Sequence, residues 1–326
     1  MNVLIIQTAF LGDCVLTLPL INSIKRSLSC NVILLCIPST KDVFLSCPSV
    51  DEVLVYDKKG ADKGTLNMLK LVNKIREMKV DMAFLPQRSF RSGLMAFLSK
   101  IPRRIGFRRG GGKLFLTEKA DFDWNSHEMK RLLSLGRTAG LNSITRESCL
   151  EPDKELVNSY RDKIAGDGKR IIGISPQSEW ATKCWPVERY KELINKFREQ
   201  YKFIILGRKK EDWDIGGHVI DLTGRTSIKE LIAVISMLDL MVSNDTGLMH
   251  IAAALDKPVV AIFGPTVADM GFTPSGEKHS VIQAGLDCRP CSLHGENRCP
   301  EGHFKCMMDI SVDTVSGEIS KILEMQ

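Results

Sequence analysis

Long hydrophobic runs are missing from this 326-residue chain. Nothing in it approaches the ~18–20 consecutive apolar residues that a helix needs to cross a bilayer. The opening MNVLIIQTAFLGD lacks a basic start and meets Gln7 and Asp13 too early for a secretory signal, so a soluble cytoplasmic protein is expected. Cysteine is too thin for a disulfide scaffold, with ten residues in a long chain. Six of these, Cys14, Cys30, Cys36, Cys47, Cys149 and Cys184, are scattered and read mostly as small reduced hydrophobes. What is present is ordinary globular material, 44% hydrophobic and 26% charged, which excludes fibrous and disordered classes. The length suggests about two domains.

Acidic residues are absent from a whole stretch. Residues 88–117 contain Arg88, Arg91, Lys100, Arg103, Arg104, Arg108, Arg109 and Lys113 and not one Asp or Glu. The net charge of +6 is unevenly spread, because residues 1–163 hold 26 Lys+Arg against 17 Asp+Glu. The first half therefore looks built to meet an anion, although a solvated basic face gives the same pattern.

Short apolar runs alternate with amphipathic stretches along the chain, the signature of βαβ units and parallel sheets. Asn2–Ile6, Val32–Ile37, Val53–Tyr56 and Asp81–Leu85 are expected strands in the first half, with helices over Val15–Leu28 and Leu66–Met78. Pro19 is expected in the opening turns of the first helix. The cycle restarts at Arg170 and continues through Pro258–Phe263. Two doubly wound Rossmann-like α/β domains facing a central cleft follow, divided as 1–160 and 161–326, with ligands at the carboxyl ends of the strands.

The first strand leads into Gln7-Thr8-Ala9-Phe10-Leu11-Gly12-Asp13, where the G-x-G-x-x-G of a dinucleotide site is missing. Asp13 stands at a helix start, either as a cap or as a carboxylate poised as general base. Ser243-Asn244-Asp245-Thr246-Gly247-Leu248-Met249-His250 runs from a strand into a helix whose free amides suit a phosphate. Lys183, in Thr182-Lys183-Cys184-Trp185-Pro186, could meet phosphate as a point charge.

With Phe263-Gly264-Pro265-Thr266, these segments resemble glycosyltransferase family 9, the ADP-heptose:lipopolysaccharide heptosyltransferases, and in particular the heptosyltransferase II type. The resemblance implies a GT-B arrangement, an N-terminal domain for the acceptor and a C-terminal domain for the nucleotide sugar. It also implies inverting transfer from ADP-heptose to the inner core of lipopolysaccharide without a catalytic metal. Asp13 takes the position of the general base and Lys183 that of a phosphate contact. Thr182, Asp245, Thr246, Gly247 and His250 fall in the donor segment, and Glu211 matches an acidic residue near the ribose. Arg88, Arg91, Arg104 and Arg108 are then acceptor contacts, since inner-core carboxylates and phosphates suit guanidinium forks. Nucleic acid is not an expected partner, and peripheral contact with the inner membrane is. Another nucleotide sugar in the same fold, or a non-catalytic sugar-nucleotide binder, are the alternatives. Cys288, Cys291, Cys299 and Cys306, with His294 and His303 nearby, leave three readings open: a structural zinc or other thiolate-bound metal, a disulfide pair, or free thiols in a packed loop.

Overall fold

The computed structural model describes residues 1–164, 168–210, 213 and 219–325. The chain divides into two compact units, Met1–Glu151 and Pro152–Gln326. In the first, the apolar runs form β1 (Asn2–Ile6), β2 (Asn31–Cys36), β3 (Glu52–Val55) and β4 (Met82–Leu85). The basic run supplies a further strand, β5 (Arg103–Phe107), and β6 (Glu118–Ala120) follows it. All six pair in parallel, in the order β3-β2-β1-β4-β5-β6. The central strands carry apolar side chains on both faces, which obliges helices to cover both. These are α1 (Leu11–Ser27), α2 (Lys41–Leu45), α3 (Thr65–Glu77), α4 (Phe90–Leu98) and α5 (Glu128–Thr138). On one face Leu4, Ile6, Ile33, Leu35 and Leu85 pack with Val72 and Ile75 of α3 and Met95 and Ala96 of α4.

Two expectations need correction here. Helix α1 begins at Leu11 rather than Val15, so Pro19 lies in its interior and not in its opening turns. One backbone hydrogen bond of the helix is lost there. Cys47 and Cys149 are not free thiols but a disulfide across 102 residues. The chain after α5 returns along α1, where Ser27 Oγ, Ser23 Oγ and Asn22 Nδ2 donate to the carbonyls of Ser143, Thr145 and Glu147 in turn. That return carries Cys149 to the end of α2.

The second unit repeats the winding with α6 (Lys154–Ile164), β7 (Arg170–Ser175), α7 (Val187–Phe197), β8 (Tyr201–Ile205), β9 (Val219–Asp221), α8 (Ile228–Ser236), β10 (Leu240–Asn244), α9 (Gly247–Ala254), β11 (Val259–Phe263), β12 (His279–Gln283), α10 (Lys305–Met308) and α11 (Val312–Glu324). The expected division after residue 160 falls inside α6. Ser227 opens α8 with a reciprocal cap, its hydroxyl receiving the Glu230 amide while the Glu230 carboxylate receives the Ser227 amide. The parallel order β12-β11-β10-β7-β8-β9 places the reversal of winding between β7 and β10, as it lies between β1 and β4 in the first unit. Ligands of doubly wound sheets bind outside the carboxyl ends of the strands at such reversals.

Candidate functional site

In the first unit the reversal presents Asp13. Phe10 occupies the cap position of α1 without a capping side chain, and Asp13 sits in the first turn. The floor beneath it is fixed by buried Gln7, whose Nε2 donates to Thr17 Oγ1 at 2.7 Å, while the Thr17 hydroxyl donates to the Asp13 carbonyl at 2.7 Å. Burial pushes the Asp13 carboxyl up to about 6, and the Glu128 carboxylate on α5 adds to the rise. The backbone amides of Phe10 and Asp13 pull the other way. Glu128 is itself held by buried Arg131 at 2.8 Å, and Arg131 donates to the carbonyls of Asp123 and Trp124. Sequence spacing does not reveal Glu128, since it acts on Asp13 from a helix more than a hundred residues on.

The four arginines expected to hold the acceptor part company. Arg104 spends its guanidinium on the carbonyls of Phe115, Ile101 and Pro102, and Arg108 pairs with Asp121 at 2.9 Å. Both thus hold the chain around β5 and β6 through these bonds. Arg88 lies 4.3 Å over the Phe122 ring and 5.4 Å from that of Trp124. Arg91 is exposed and faces Lys58 closely enough that, after burial, it is the main cause lowering the Lys58 ammonium. Lys58 in turn donates to the Thr8 carbonyl at 3.1 Å, in the loop that leads to Asp13. Lys58 thus touches that loop, and Arg91 stands close enough to Lys58 to act on it.

In the second unit Lys183 and Asp245 come together at 2.5 Å, both buried, and the Thr266 hydroxyl donates to the same carboxylate oxygen at 2.8 Å. Asn244, fully buried, braces the two loops. Its Nδ2 donates to the Pro176 carbonyl, and its Oδ1 accepts from the Trp185 amide and the Tyr190 hydroxyl. Thr246 caps α9 with extended backbone and no side-chain bond to the helix amides. The amides there remain directed at whatever anion arrives. Gly247 is half-buried and His250 buried within α9. Gln177 clasps Lys209 through both backbone groups, at 2.6 and 2.9 Å. Glu211, the expected ribose contact, lies outside the described residues.

Thr182 is not free for a donor. Its hydroxyl donates to the Glu296 carbonyl at 2.8 Å and accepts from the Glu296 amide at 2.8 Å, and its own amide donates to the same carbonyl. The cysteine-rich segment is therefore a buttress of the Lys183 loop. Gly295 lies against that loop with a φ of +97°, where an added Cβ would stand 2.9 Å from Trp180 Cβ and 3.1 Å from Lys183 Cγ. Arg289 ties the segment to the loop after β11 through the carbonyls of Phe263, Gly264 and Thr266. Replacing Thr182 by Val should lower stability by ~1–3 kcal/mol, because two hydrogen bonds of the hydroxyl to the Glu296 backbone, each worth about 0.5–1.5 kcal/mol, are lost, and should raise the donor KM. Thr182→Ser should restore both. Melting and donor kinetics that match wild type in the Val variant would remove the clamp.

The four thiols Cys288, Cys291, Cys299 and Cys306 are free, with Cys288 Sγ 3.9 Å from His303 Nε2 and Cys291 Sγ 3.2 Å from the Cys288 carbonyl. Among the described residues no three His, Cys, Asp or Glu side chains are grouped as a ready-made metal position. Two Asp-x-Asp triplets occur in the chain. Asp121 pairs with Arg108 and Asp123 receives Asn125 and Ser126, whereas Asp212 and Asp214 lie outside the described residues.

The arrangement can hold a diphosphate in one unit and present a carboxylate of raised pKa in the other. Known proteins resemble the chain over its length. Lipopolysaccharide heptosyltransferase 2 of Salmonella typhimurium is 25% identical over 99% of each chain. The solved structure of Escherichia coli ADP-heptose lps heptosyltransferase II matches all of this chain and 99% of its own, with a TM-score of 0.81 at 22% identity. A glycosyltransferase family 9 structure from Veillonella parvula matches all of this chain and 98% of its own, with a TM-score of 0.87 at 20% identity. The model of glycosyltransferase family 9 (heptosyltransferase) matches residues 68–304, and the chain belongs to that family.

Proposed function

We propose that this glycosyltransferase moves a heptose from ADP-heptose to the inner core of a lipopolysaccharide, inverting the anomeric carbon and using no catalytic metal. The observation that carries the mechanism is Asp13, a carboxylate at the carboxyl end of β1 with its pKa lifted to about 6. A base of that strength is ionised at neutral pH yet strong enough to take a proton from a sugar hydroxyl as attack proceeds. The acceptor oxygen forms the new bond to the anomeric carbon from the face opposite ADP. The old bond breaks with its electron pair going to ADP, and Asp13 keeps the proton. Lys183, oriented by Asp245, and the amides at Thr246 and Gly247 take the charge that grows on the diphosphate. His250 lines the same segment, and Glu211 is assigned to the ribose. The first unit receives the acceptor, with Lys58 and Arg91 placed for its anionic groups. A lipid-anchored acceptor and a nucleotide-sugar donor put the reaction at the cytoplasmic face of the inner membrane.

The test is product mass after incubation with ADP-heptose and with other nucleotide sugars, on truncated lipopolysaccharide acceptors, with and without EDTA. We expect one heptose to be added from ADP-heptose alone, at an undiminished rate in EDTA, with the anomeric configuration reversed. Transfer only from another nucleotide sugar would replace the donor assignment. Activity lost in EDTA and restored by magnesium, with folding unchanged, would replace the lysine by a cation.

A further inference from the structure

The first unit exposes an apolar face that neither the transfer reaction nor the core uses. Phe90 and Phe97 are seven residues apart on α4, hence on one side of it, and remain 51% and 50% exposed. The short turn Gly111–Phe115 lies against α4 and adds Leu114, 72% exposed. Glycine makes this contact: a Cβ on Gly93 would stand 2.8 Å from the Gly112 carbonyl oxygen, and one on Gly112 2.7 Å from that of Ser89. The close approach lets the Phe115 ring sit between its neighbours, 5.1 Å from Phe90 and 5.7 Å from Phe97. Helix and turn thus form one fixed surface.

The border of this surface is cationic. Arg91, Lys100, Arg109 and Lys113 are exposed around it, and Arg104 lies 5.6 Å from the Phe97 ring. No acidic residue occurs anywhere in residues 88–117. A solvated basic face has no use for exposed phenylalanine and leucine. Aromatic and aliphatic side chains ringed by lysine and arginine suit the interface of an anionic bilayer, where apolar groups enter the acyl boundary and cations meet the headgroups. The location agrees, because α4 leaves the carboxyl end of β4 and Gly111–Phe115 follows β5, on the same side of the sheet as Asp13.

We propose that α4 and Gly111–Phe115 dock the first unit onto an anionic lipid surface, through Phe90, Phe97 and Leu114 with Arg91 and Lys113 at the rim. The inference rests on the membrane-anchored acceptor read above and adds the surface that meets the membrane. Flotation of the full chain with vesicles tests it, using phosphatidylcholine alone and phosphatidylcholine with phosphatidylglycerol. The wild type should float with the anionic vesicles at low salt, and at least five-fold less with the neutral ones. Leu114→Glu and Phe97→Ser should each lower the bound fraction several-fold. Leu114 is largely exposed, so melting of Leu114→Glu should be unchanged, and both variants should keep transfer to a deacylated, water-soluble acceptor. A wild type that stays unbound at low salt, or variants that float equally well, overturns the proposal. So does light scattering that shows a wild-type dimer broken by Leu114→Glu, which would make the face a contact between copies. Transfer to the soluble acceptor reports separately on the reaction: flotation without any transfer sinks the functional reading and leaves the surface standing.

Discussion

Asp13→Asn should lower kcat by ~10²–10⁴-fold, the usual contribution of a positioned general base, while ADP affinity stays within about two-fold of wild type. The amide keeps the shape and removes the proton acceptor. With Asp13 lifted to about 6, wild-type kcat/KM should fall as pH drops through that value, since the protonated carboxyl cannot accept a proton. Glu128→Gln removes the neighbouring like charge, so the acid limb should move to lower pH while the folded protein persists. The same shift acts on stability. The folded Asp13 holds its proton more tightly than the unfolded one, with its ordinary value of 3.8, so its favourable contribution is complete below about 4 and lost as pH rises through about 6. An Asn variant with wild-type turnover, or a limb unmoved in Glu128→Gln, would assign the base elsewhere.

Lys183→Ala should damage the second unit twice. The Asp245 carboxylate is left buried with the Thr266 hydroxyl but without its cation, a change that typically costs ~3–5 kcal/mol. Donor binding weakens as well, because the charge-assisted contact to phosphate goes with it. The paired replacement Lys183→Met with Asp245→Leu separates the two effects. Removing both charges should return most of the stability, since a buried ion pair exchanged for apolar groups of similar volume is often near neutral. Transfer should remain lost. Thermal melting and ADP calorimetry read the two quantities independently, and a paired variant that regains activity would confine Lys183 to a structural part.

Much of this was legible in the chain because the signals were local. Strand Val259–Phe263 is apolar throughout and Leu240–Asn244 begins with three apolar residues, both lie fully buried inside the sheet, and the loops after β1, β7 and β10 carry their polar residues in sequence. The edges were harder. Strand β5 begins with Arg103 and Arg104, whose charges are answered by Glu118 and by backbone carbonyls, so its composition resembles a surface run. The outer strand His279–Gln283 is only partly buried and shows no continuous apolar stretch. Roles that depend on distant partners left no trace in spacing. Thr182 stands beside Lys183 and was assigned to the donor, yet its hydroxyl is committed to Glu296, 114 residues away. Arg104 and Arg108 were grouped with Arg91 by proximity in sequence, and folding turned them to different partners. Cys47 and Cys149 meet because the chain runs back along α1, a path that no count of cysteines reveals.

The return of the chain along α1 also decides where the protein can be cut in two. Glu151 is still tied to the first unit, its amide donating to the Ser46 carbonyl at 2.8 Å. Two residues later Asp153 already belongs to the second, receiving the amides of Glu155 and Leu156 and the Lys229 ammonium. Pro152 alone stands between these anchors. A gene divided after residue 160 would strip most of α6 from the second half, although the Tyr160 hydroxyl donates to Glu230 there. Division at Pro152 leaves every one of these ties inside the half it stabilises, so each half made from that cut keeps its own anchors.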